Sequence, residues 1–393
     1  MRLLFIADGR SPTALSWLKY WPEAGHEVHL VSTFPCDEPA GLASFHILPV
    51  ALGGMAGGSQ GDFRRAAVSR LRALLRPLRY ALGPVSLPRH QQQFLRLVDA
   101  VRPDLVHALR IPFEGMLAHI VPAEIPFLVS IWGNDLTLHA HGSPLMAALT
   151  RRTLRRADGL LADTRRDLHL ARAWGLRESI PTLVVPGAGG IRREEIARDV
   201  RTYMLPEELP DAPLVVNPRG QRPGSLRQDV FFRSIPWVLE RVPEAYFVCP
   251  SLGGDVQAEG WVASLDIGKR TRLWPKLSQP QLWALLKNAS VFVSPSIHDG
   301  TPNSLLEAMA CGCFPVVGDI ESMREWITDS VNGLLVNAAD EQALAEAVVR
   351  ALNEPALRSQ AAQANAALVA ERADYGNNLQ RVNELYESIL RKV

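Results

Sequence analysis

Two carboxylates frame the stretch of this sequence that is best suited to chemistry. Asp299 and Glu307 lie eight residues apart, and Gly-Thr-Pro-Asn-Ser-Leu-Leu lies between them. The short apolar, β-branched run at 289–294 predicts a buried strand just before this stretch. An apolar run then begins beside Glu307 and predicts a helix. The carboxylates are therefore expected on a loop and on the helix that follows a strand.

The start of that helix can be placed in two ways. Ser304 and Glu307 have the spacing of a capping box. Thr301 followed by Pro302 fits equally well as N-cap and first helical residue. In either case unpaired backbone amides and the helix dipole point toward one spot, so the sequence predicts an anion site there.

A second candidate anion element is the loop 217–229, which reads NPRGQRPGSLRQD and follows the apolar run PLVVN. Its arginines are Arg219, Arg222 and Arg227. Arginine binds phosphate oxygens in a bidentate manner, which suits a phosphate-binding role. A solvated basic loop is the alternative interpretation, and it applies to Arg227 more than to Arg219.

The bulk composition indicates a globular protein of two or three domains. The chain has 393 residues, with 47% hydrophobic and 21% charged residues and a formal net charge of +1. These values exclude a disordered chain and give no general argument for nucleic-acid or membrane binding. The four cysteines lack zinc-site spacing with histidines, which indicates free thiols and a reducing, cytoplasmic compartment. No apolar run is long enough to predict a signal peptide or a membrane span.

Strand-like and helix-like segments alternate along the chain and predict parallel sheets covered by helices on both faces. A first series of apolar runs lies at 2–7, 27–32, 105–109, 127–133, 159–164 and 182–187, and a second lies at 213–217, 245–250, 272–274, 290–295, 314–318 and 333–337. We place the first α/β domain at 1–195 and the second at 210–372. The final segment, 373–393, is expected to be a helix that packs back toward the first domain.

The segment 63–82 is unusually basic, with six arginines and no acidic residue. Its leucines and its arginines fall on different helical faces, and Pro77 is expected to kink or break the helix. A basic amphipathic helix can lie on an anionic membrane surface. A crossover helix with a solvated basic face is the alternative.

The segment 290–337 resembles the donor-binding signature of the retaining GT-B glycosyltransferases of family 4. The resemblance lies in Asp299, seven residues, then Glu307-Ala-Met-Ala-x-Gly, and in the later Pro315-Val-Val and Asn332-Gly-x-Leu-Val. In the first half, AGHEVHLVS and RPDLVHA are weaker matches. The resemblance implies a GT-B fold, with two Rossmann-like α/β domains facing a central cleft. It also implies transfer of a sugar from a nucleotide-sugar to an acceptor hydroxyl with retention of configuration.

The resemblance also implies roles for individual residues. Glu307 would hold the ribose hydroxyls. Asp299, at a position where the family usually has glutamate, would face the donor sugar. Arg219 matches the family's diphosphate-binding arginine, and Arg227 or Arg222 would replace a missing lysine. The implied catalytic set is Asp299, Arg219 and Arg227, and the implied donor-binding set is Glu307, Gly300, Thr301, Pro302, Asn303, Ser304, Leu305 and Pro275.

On the acceptor or sugar side, the resemblance carries over to Gly9, Arg10, His107 and Asp135. His107 is equally consistent with a structural histidine, and Trp132 replaces a histidine of the family beside Asp135. The family needs no cofactor and no bound metal, only the nucleotide-sugar as co-substrate. The base could be that of UDP, GDP or ADP, and the acceptor is left open.

Two alternatives remain at the level of sequence. One is a catalytically degenerate sugar-nucleotide-binding or scaffold subunit, which the departures at Asp299, Trp132 and the missing lysine favour. The other is a sugar-nucleotide epimerase with the same fold, which would need further acid and base groups in the first domain. We expect a cytoplasmic protein with peripheral membrane contact through 63–82 and no nucleic-acid partner.

Overall fold

The computed structural model describes residues 1–50, 62–198 and 205–392, with only the backbone described for 62–77. It divides into two compact units, one made of 1–189 and 376–393 and the other of 190–375. Two sequence-based assignments lie partly outside this description: residues 199–204 of the predicted connection between domains, and most side chains of the basic segment.

The first unit contains a seven-stranded parallel sheet in the order β3-β2-β1-β4-β5-β6-β7. Its strands are β1 (Arg2–Ala7), β2 (Glu27–Ser32), β3 (Ser44–Ile47), β4 (Leu105–Ala108), β5 (Phe127–Ile131), β6 (Gly159–Ala162) and β7 (Thr182–Val184). Its helices before the second unit are α1 (Pro12–Glu23), α2 (Asp62–Val101), α3 (Met116–Ala118), α4 (Pro144–Arg156) and α5 (Arg165–Ala173). Two irregular turns, Ile111–Gly115 and Asp135–His139, follow β4 and β5.

The second unit contains a six-stranded parallel sheet in the order β10-β9-β8-β11-β12-β13. Its strands are β8 (Leu214–Val216), β9 (Tyr246–Pro250), β10 (Thr271–Trp274), β11 (Val291–Ser294), β12 (Phe314–Gly318) and β13 (Leu334–Val336). Its helices are α6 (Arg193–Ala197), α7 (Gln228–Leu239), α8 (Val256–Ser264), α9 (Gln279–Asn288), α10 (Asn303–Ala310), α11 (Glu321–Arg324), α12 (Glu341–Asn353) and α13 (Pro355–Arg372). The prediction of two parallel α/β sheets is confirmed.

The last helix, α14 (Tyr375–Leu390), packs on the first unit. The ring of Tyr386 stacks on Trp21 with 4.7 Å between ring centroids. The Tyr386 hydroxyl lies 2.5 Å from Nδ1 of His107. On the same side, the backbone of Gly159 lies so close to Ile389 that a Cβ at residue 159 would be 2.7 Å from its Cδ1. A buried aromatic contact thus ties the end of the chain to the first sheet.

Two local predictions differ from the structure. The edge strand β3 was not predicted, because its four residues are only partly buried or exposed and lack an apolar run. In addition, of the kink or break predicted at Pro77 the break does not occur, because residues 62–101 form one continuous helix. No helix in the described ranges has the length and apolarity needed to cross a bilayer.

The strand order defines one special position in each sheet. On either side of β1 in the first sheet, and of β8 in the second, the chain winds in opposite directions. Ligands of open parallel sheets bind at such a switch point, outside the carboxyl ends of the strands. The loops after β1 and β4, and those after β8 and β11, lie at these switch points.

Candidate functional site

The loop after β8 is fixed by a buried amide pair. Asn217 is fully buried, and its Nδ2 donates to Oε1 of Gln228 at 2.6 Å. The amide of Gln228 in turn donates to the carbonyl of Arg219. The backbone amide of Arg219 donates to Oδ1 of Asn217 at 3.3 Å. These bonds satisfy buried polar groups and hold the backbone of Arg219 in one position.

The side chain of Arg219 pairs with Asp299 from the loop after β11. Arg219 is only 7% exposed and the Asp299 side chain only 14%. The structure therefore brings together two of the predicted catalytic residues, which are 80 positions apart in the chain. An arginine held at one nitrogen by a carboxylate keeps other donors for a second anion.

Arg222 adds a second positive charge near this pair. It is exposed, and the neighbouring Arg219 guanidinium is the main cause that lowers its pKa to about 10. Asp299 acts in the opposite direction on the same group. Two arginines beside one aspartate leave a local excess of positive charge, which favours an anion.

Arg227 has a different environment. Its Nε and Nη2 each donate to the Asp229 carboxylate at 2.8 Å. Arg227 is the first cause that lowers the pKa of Asp229, to about 2. Arg227 is thus engaged at the start of α7, whereas Arg222 is the residue coupled to Arg219. Only the tertiary structure shows that Arg222, and not Arg227, accompanies Arg219, because the spacing of the arginines in the sequence allows either.

The loops after β8 and β11 are bonded side by side. The amide of Arg227 donates to the carbonyl of Pro295 at 3.0 Å, and that of Ile297 donates to the carbonyl of Ser225 at 2.8 Å. A Cβ added to Gly318 on β12 would overlap the carbonyl oxygen of Ser296. Glycine is therefore required where β12 passes this loop.

The segment 299–302 is held from α11 and its continuation. The Ser322 hydroxyl donates to the carbonyl of Asp299 at 2.8 Å. The Trp326 indole donates to Oγ1 of Thr301 at 3.0 Å. The amide of Gly300 donates to Oδ1 of Asp299 at 3.0 Å. Ser322 and Trp326 were not predicted, since nothing in their local sequence indicates a contact with this loop.

The start of α10 differs from both predicted capping arrangements. Pro302 is the N-cap, and the first helical residues are Asn303, Ser304 and Leu305. No side chain of the described residues caps the helix. Thr301 instead accepts the bond from the indole, and Glu307 does not reach back to Ser304. The capping-box prediction is wrong because the Glu307 side chain is engaged elsewhere. An uncapped helix start keeps its anion-binding character.

Glu307 lies almost fully buried on α10, with 9% of its surface exposed. The Gln279 amide donates to Oε1, and the Trp283 indole donates to the same oxygen at 3.4 Å. Oε2 has no hydrogen-bond donor in the part of the chain that the structure describes. Burial raises the pKa of Glu307 to about 7, and the two donors partly oppose that rise. Gln279 and Trp283, both on α9, were also missed by sequence reasoning.

Pro275, predicted to lie near the base, follows directly after β10. Its carbonyl accepts from the amide of Ser251 at 3.3 Å. A Cβ on Gly253 would lie 2.7 Å from the nitrogen of Pro275, so the two loops are in close contact. Pro275 thus lies at the carboxyl edge of the second sheet.

In the first unit, two of the predicted residues lie after β1. The amide of Gly9 donates to Oγ of Ser32 at 3.1 Å, and a Cβ here would lie 2.6 Å from Sγ of Cys36. Arg10 forms two 3.0 Å bonds to Asp8. Both residues lie at the switch point of the first sheet.

His107 and Asp135 are buried instead of facing a ligand. His107 is 0% exposed, with Tyr386 at one ring nitrogen and Ser130 at the other, 2.8 Å away. Burial lowers its pKa to about 3, so it is neutral. Asp135 is also 0% exposed. The expected contact of either residue with acceptor or sugar does not fit these positions, because their polar atoms are used inside the unit.

Comparisons with known proteins agree with this architecture. Residues 249–367 match the family model described as Glycosyl transferases group 1. Residues 8–188 match the model described as Glycosyl transferase 4-like domain. The first match lies within the second unit and the second within the first unit.

Two curated relatives illustrate the similarity. The chain is 37% identical over 109 residues to N,N'-diacetylbacillosaminyl-diphospho-undecaprenol alpha-1,3-N-acetylgalactosaminyltransferase of Campylobacter jejuni, which is 28% of this chain but only 29% of that protein. It is 25% identical to phosphatidyl-myo-inositol mannosyltransferase of Mycobacterium leprae, over 92% of this chain and 96% of that protein.

Among solved structures, HepE of Anabaena in complex with UDP has the same fold. The TM-score is 0.71 at 14% identity, and the match covers 99% of this chain and 100% of that one. The same protein has also been solved with UDP-glucose. At this level of identity the likeness establishes the fold alone.

Proposed function

Because the chain belongs to the GT-B glycosyltransferases, whose family models match both of its units, we propose that it uses a nucleotide-sugar as donor. It transfers the sugar to an acceptor hydroxyl with retention of configuration. The relatives and the structural neighbours support a transferase of this class. The use of a nucleotide-sugar donor, the retention of configuration and the roles of individual residues are what we propose.

The observation that carries the proposal is the environment of Glu307. Its carboxylate is buried and accepts two bonds on Oε1, whereas among the described residues it caps no helix and no donor reaches Oε2. A carboxylate in a largely buried position, with one oxygen not bonded by the protein, is suited to a ligand that supplies donors. Two adjacent ribose hydroxyls are such donors, and they form charge-assisted bonds with an ionised carboxylate. HepE of Anabaena, which has the same fold, has been solved in complex with UDP, and this supports a nucleotide as the ligand.

The neighbouring groups supply the rest of a donor site. Arg219 and Arg222 provide the positive charge for a diphosphate, and the uncapped start of α10 adds helix amides. Asp299, held by Arg219, and the segment 300–305 face the donor sugar. Pro275 lies on the side of the base. All of these groups belong to the second unit.

The transfer breaks the bond between the sugar's anomeric carbon and the diphosphate oxygen, and forms one to the acceptor oxygen. The departing diphosphate takes the acceptor's proton. Arg219 and Arg222 stabilise the negative charge that grows on the leaving group. The reaction as proposed uses no metal and no other cofactor.

We also propose peripheral contact with a membrane surface through the basic segment 63–82. At its end, Leu78 is 45% exposed and Leu82 is 48% exposed, and Val85 follows at 61%. These spacings of four and three residues place the three side chains on one face of α2. Exposed apolar groups beside an arginine-rich segment are typical of helices that lie in the interface of an anionic bilayer. Two relatives act on polyprenol-diphosphate and phosphatidylinositol acceptors by name.

The proposal is tested by calorimetric titration of the full chain with UDP, GDP and ADP, each with and without an attached sugar. One nucleotide should bind, and Glu307→Ala should abolish its binding and the transfer reaction. Glu244→Ala, an exposed glutamate of the same unit, is the matched control and should bind as the parent does. Absence of binding across the panel would favour the scaffold alternative instead.

A further inference from the structure

Three arginines meet at the switch point of the first sheet. Arg10 follows β1, Arg110 follows β4, and Arg79 reaches the same place from α2. Arg10 and Arg79 lie against aromatic rings, those of Phe34, which follows β2, and Phe113, which follows β4. The charge of Arg110 acts on Arg79. Cζ of Arg10 lies 3.8 Å from the centroid of the Phe34 ring. Cζ of Arg79 lies 5.3 Å from the same centroid and 4.6 Å from that of Phe113.

Two of these arginines have a carboxylate partner. Arg10 is paired with Asp8. Arg110 is paired with Asp135, whose other oxygen accepts from the backbone amides of Ile111 and Trp132 at 3.3 and 3.2 Å. The buried Asp135 therefore positions Arg110, whose side chain is 36% exposed.

Arg79 has no such partner. Its Nε is buried and has no acceptor, and no ion pair or hydrogen bond involves it in the ranges that the structure describes. The nearby Glu114 is occupied by the Thr33 hydroxyl at 2.9 Å. Burial lowers the pKa of Arg79, because desolvation disfavours its charge. The carboxylates of Glu114 and Asp8 act against this effect and the charge of Arg110 adds to it, but neither carboxylate forms an ion pair with Arg79 among the described residues. A desolvated guanidinium that lacks a directly bonded anion is costly.

The local backbone adds a second indication. Phe113, one of the rings under Arg79, has a φ of +69°. Bulky residues rarely adopt this conformation, which costs of order 1 to 3 kcal/mol and is found mainly at binding and catalytic sites. The surrounding structure must impose this conformation, and with it the ring lies against the guanidinium of Arg79.

We propose that this arginine cluster binds a phosphate group of the acceptor, so that the acceptor is a phosphate ester. Guanidinium groups bind phosphate oxygens in a bidentate manner, and the aromatic rings keep Arg79 oriented without neutralising it. Arg79 is then an acceptor-binding residue, while Asp135 is a positioning residue. This inference rests on the proposed transferase function, since it names the class of substrate that the reaction would use.

The test measures phosphate binding separately from nucleotide binding. The full chain, with UDP in excess to occupy the donor site, is titrated with glycerol 3-phosphate in a calorimeter. A second arm measures flotation with phosphatidylcholine vesicles. These contain either phosphatidic acid or enough oleate to carry the same negative charge. The variants are Arg79→Gln, Arg79→Lys and the matched control Arg89→Gln, an exposed arginine of the same helix. UDP affinity of each variant reports on correct folding.

Arg79→Gln should weaken glycerol 3-phosphate binding by about tenfold or more, Arg79→Lys should weaken it less, and Arg89→Gln should leave it unchanged. If the three variants differ in this order only in flotation with phosphatidic acid vesicles, and not in glycerol 3-phosphate binding, the proposal stands, with a lipid as the source of the phosphate. Equal behaviour of Arg79→Gln and Arg89→Gln, or no phosphate-dependent binding in either arm while UDP binds, overturns it. A chain that binds no nucleotide refutes the proposed function and, with it, the acceptor role of the cluster.

Discussion

Glu307→Gln is expected to stabilise the protein while removing its ability to hold a nucleotide. The substitution keeps the shape of the side chain and an oxygen that can accept from Gln279 and Trp283. It removes a charge that burial makes costly. The buried carboxylate has a pKa of about 7, against an ordinary value of 4.5.

The size of the expected stabilisation follows from these two pKa values. Between pH 4.5 and 7 the folded state holds a proton that the unfolded chain has released, so the contribution of Glu307 to stability falls as the pH rises through this window. Each pH unit corresponds to about 1.4 kcal/mol, so the ionised carboxylate costs the folded state about 3.5 kcal/mol above pH 7. Glu307→Gln should be more stable than the parent by about this amount at about pH 8.5, and by less than about 1 kcal/mol at about pH 5.

The assay is urea unfolding of the full chain at both pH values, with Glu244→Gln as the exposed control, together with calorimetric titration of the nucleotide. Loss of charge-assisted bonds to two hydroxyls should weaken nucleotide binding by about tenfold or more. In the parent, nucleotide affinity should fall as the pH drops below about 7. A stability difference that is absent, reversed or independent of pH would refute the reasoning, and so would unchanged nucleotide affinity.

Four further outcomes are expected. Arg219→Gln should weaken UDP binding by about tenfold or more and UMP binding much less, and an equal loss for both in calorimetry would contradict its diphosphate role. Gly318→Ala should lower the free energy of unfolding by about 2 kcal/mol or more, since the added Cβ meets the Ser296 carbonyl; an unchanged urea midpoint would contradict this. Leu82→Glu should reduce flotation with anionic vesicles, which should also weaken with salt, and the proposed membrane contact fails if the parent does not float at low salt. Excess EDTA should leave the transfer rate unchanged, and a loss restored by a divalent cation would show that a metal is needed.

Most of the sheet architecture could be predicted from local sequence. Parallel strands buried on both faces are continuous apolar runs, so β1 and β11 are visible without a structure. The strand β3 could not be predicted in this way, because an exposed edge strand needs no apolar run. The prediction for the start of α10 was wrong for a related reason. Capping patterns assume that a side chain is free to turn back, and Glu307 is held by α9.

For the site, residue type and spacing determined which groups could act. The carboxylates Asp299 and Glu307 and the arginines of 217–229 were visible as charged groups in loops after strands. The sequence could not decide whether Arg222 or Arg227 accompanies Arg219, because that depends on which one the β8 and β11 loops bring together. It also could not separate His107, which is a core residue, from a ligand-binding histidine.

The sequence by itself determined the two α/β domains and the chemistry available at their strand ends, since both follow from local periodicity and from side-chain type. Only the tertiary structure decided which charges are neutralised. Arg10, Arg110 and Arg219 acquire carboxylate partners. Among the described residues, Arg79 has no such partner and one oxygen of Glu307 has no donor. Neutralisation depends on distances between segments that are far apart in the chain, and on burial from water, and neither is encoded in local spacing.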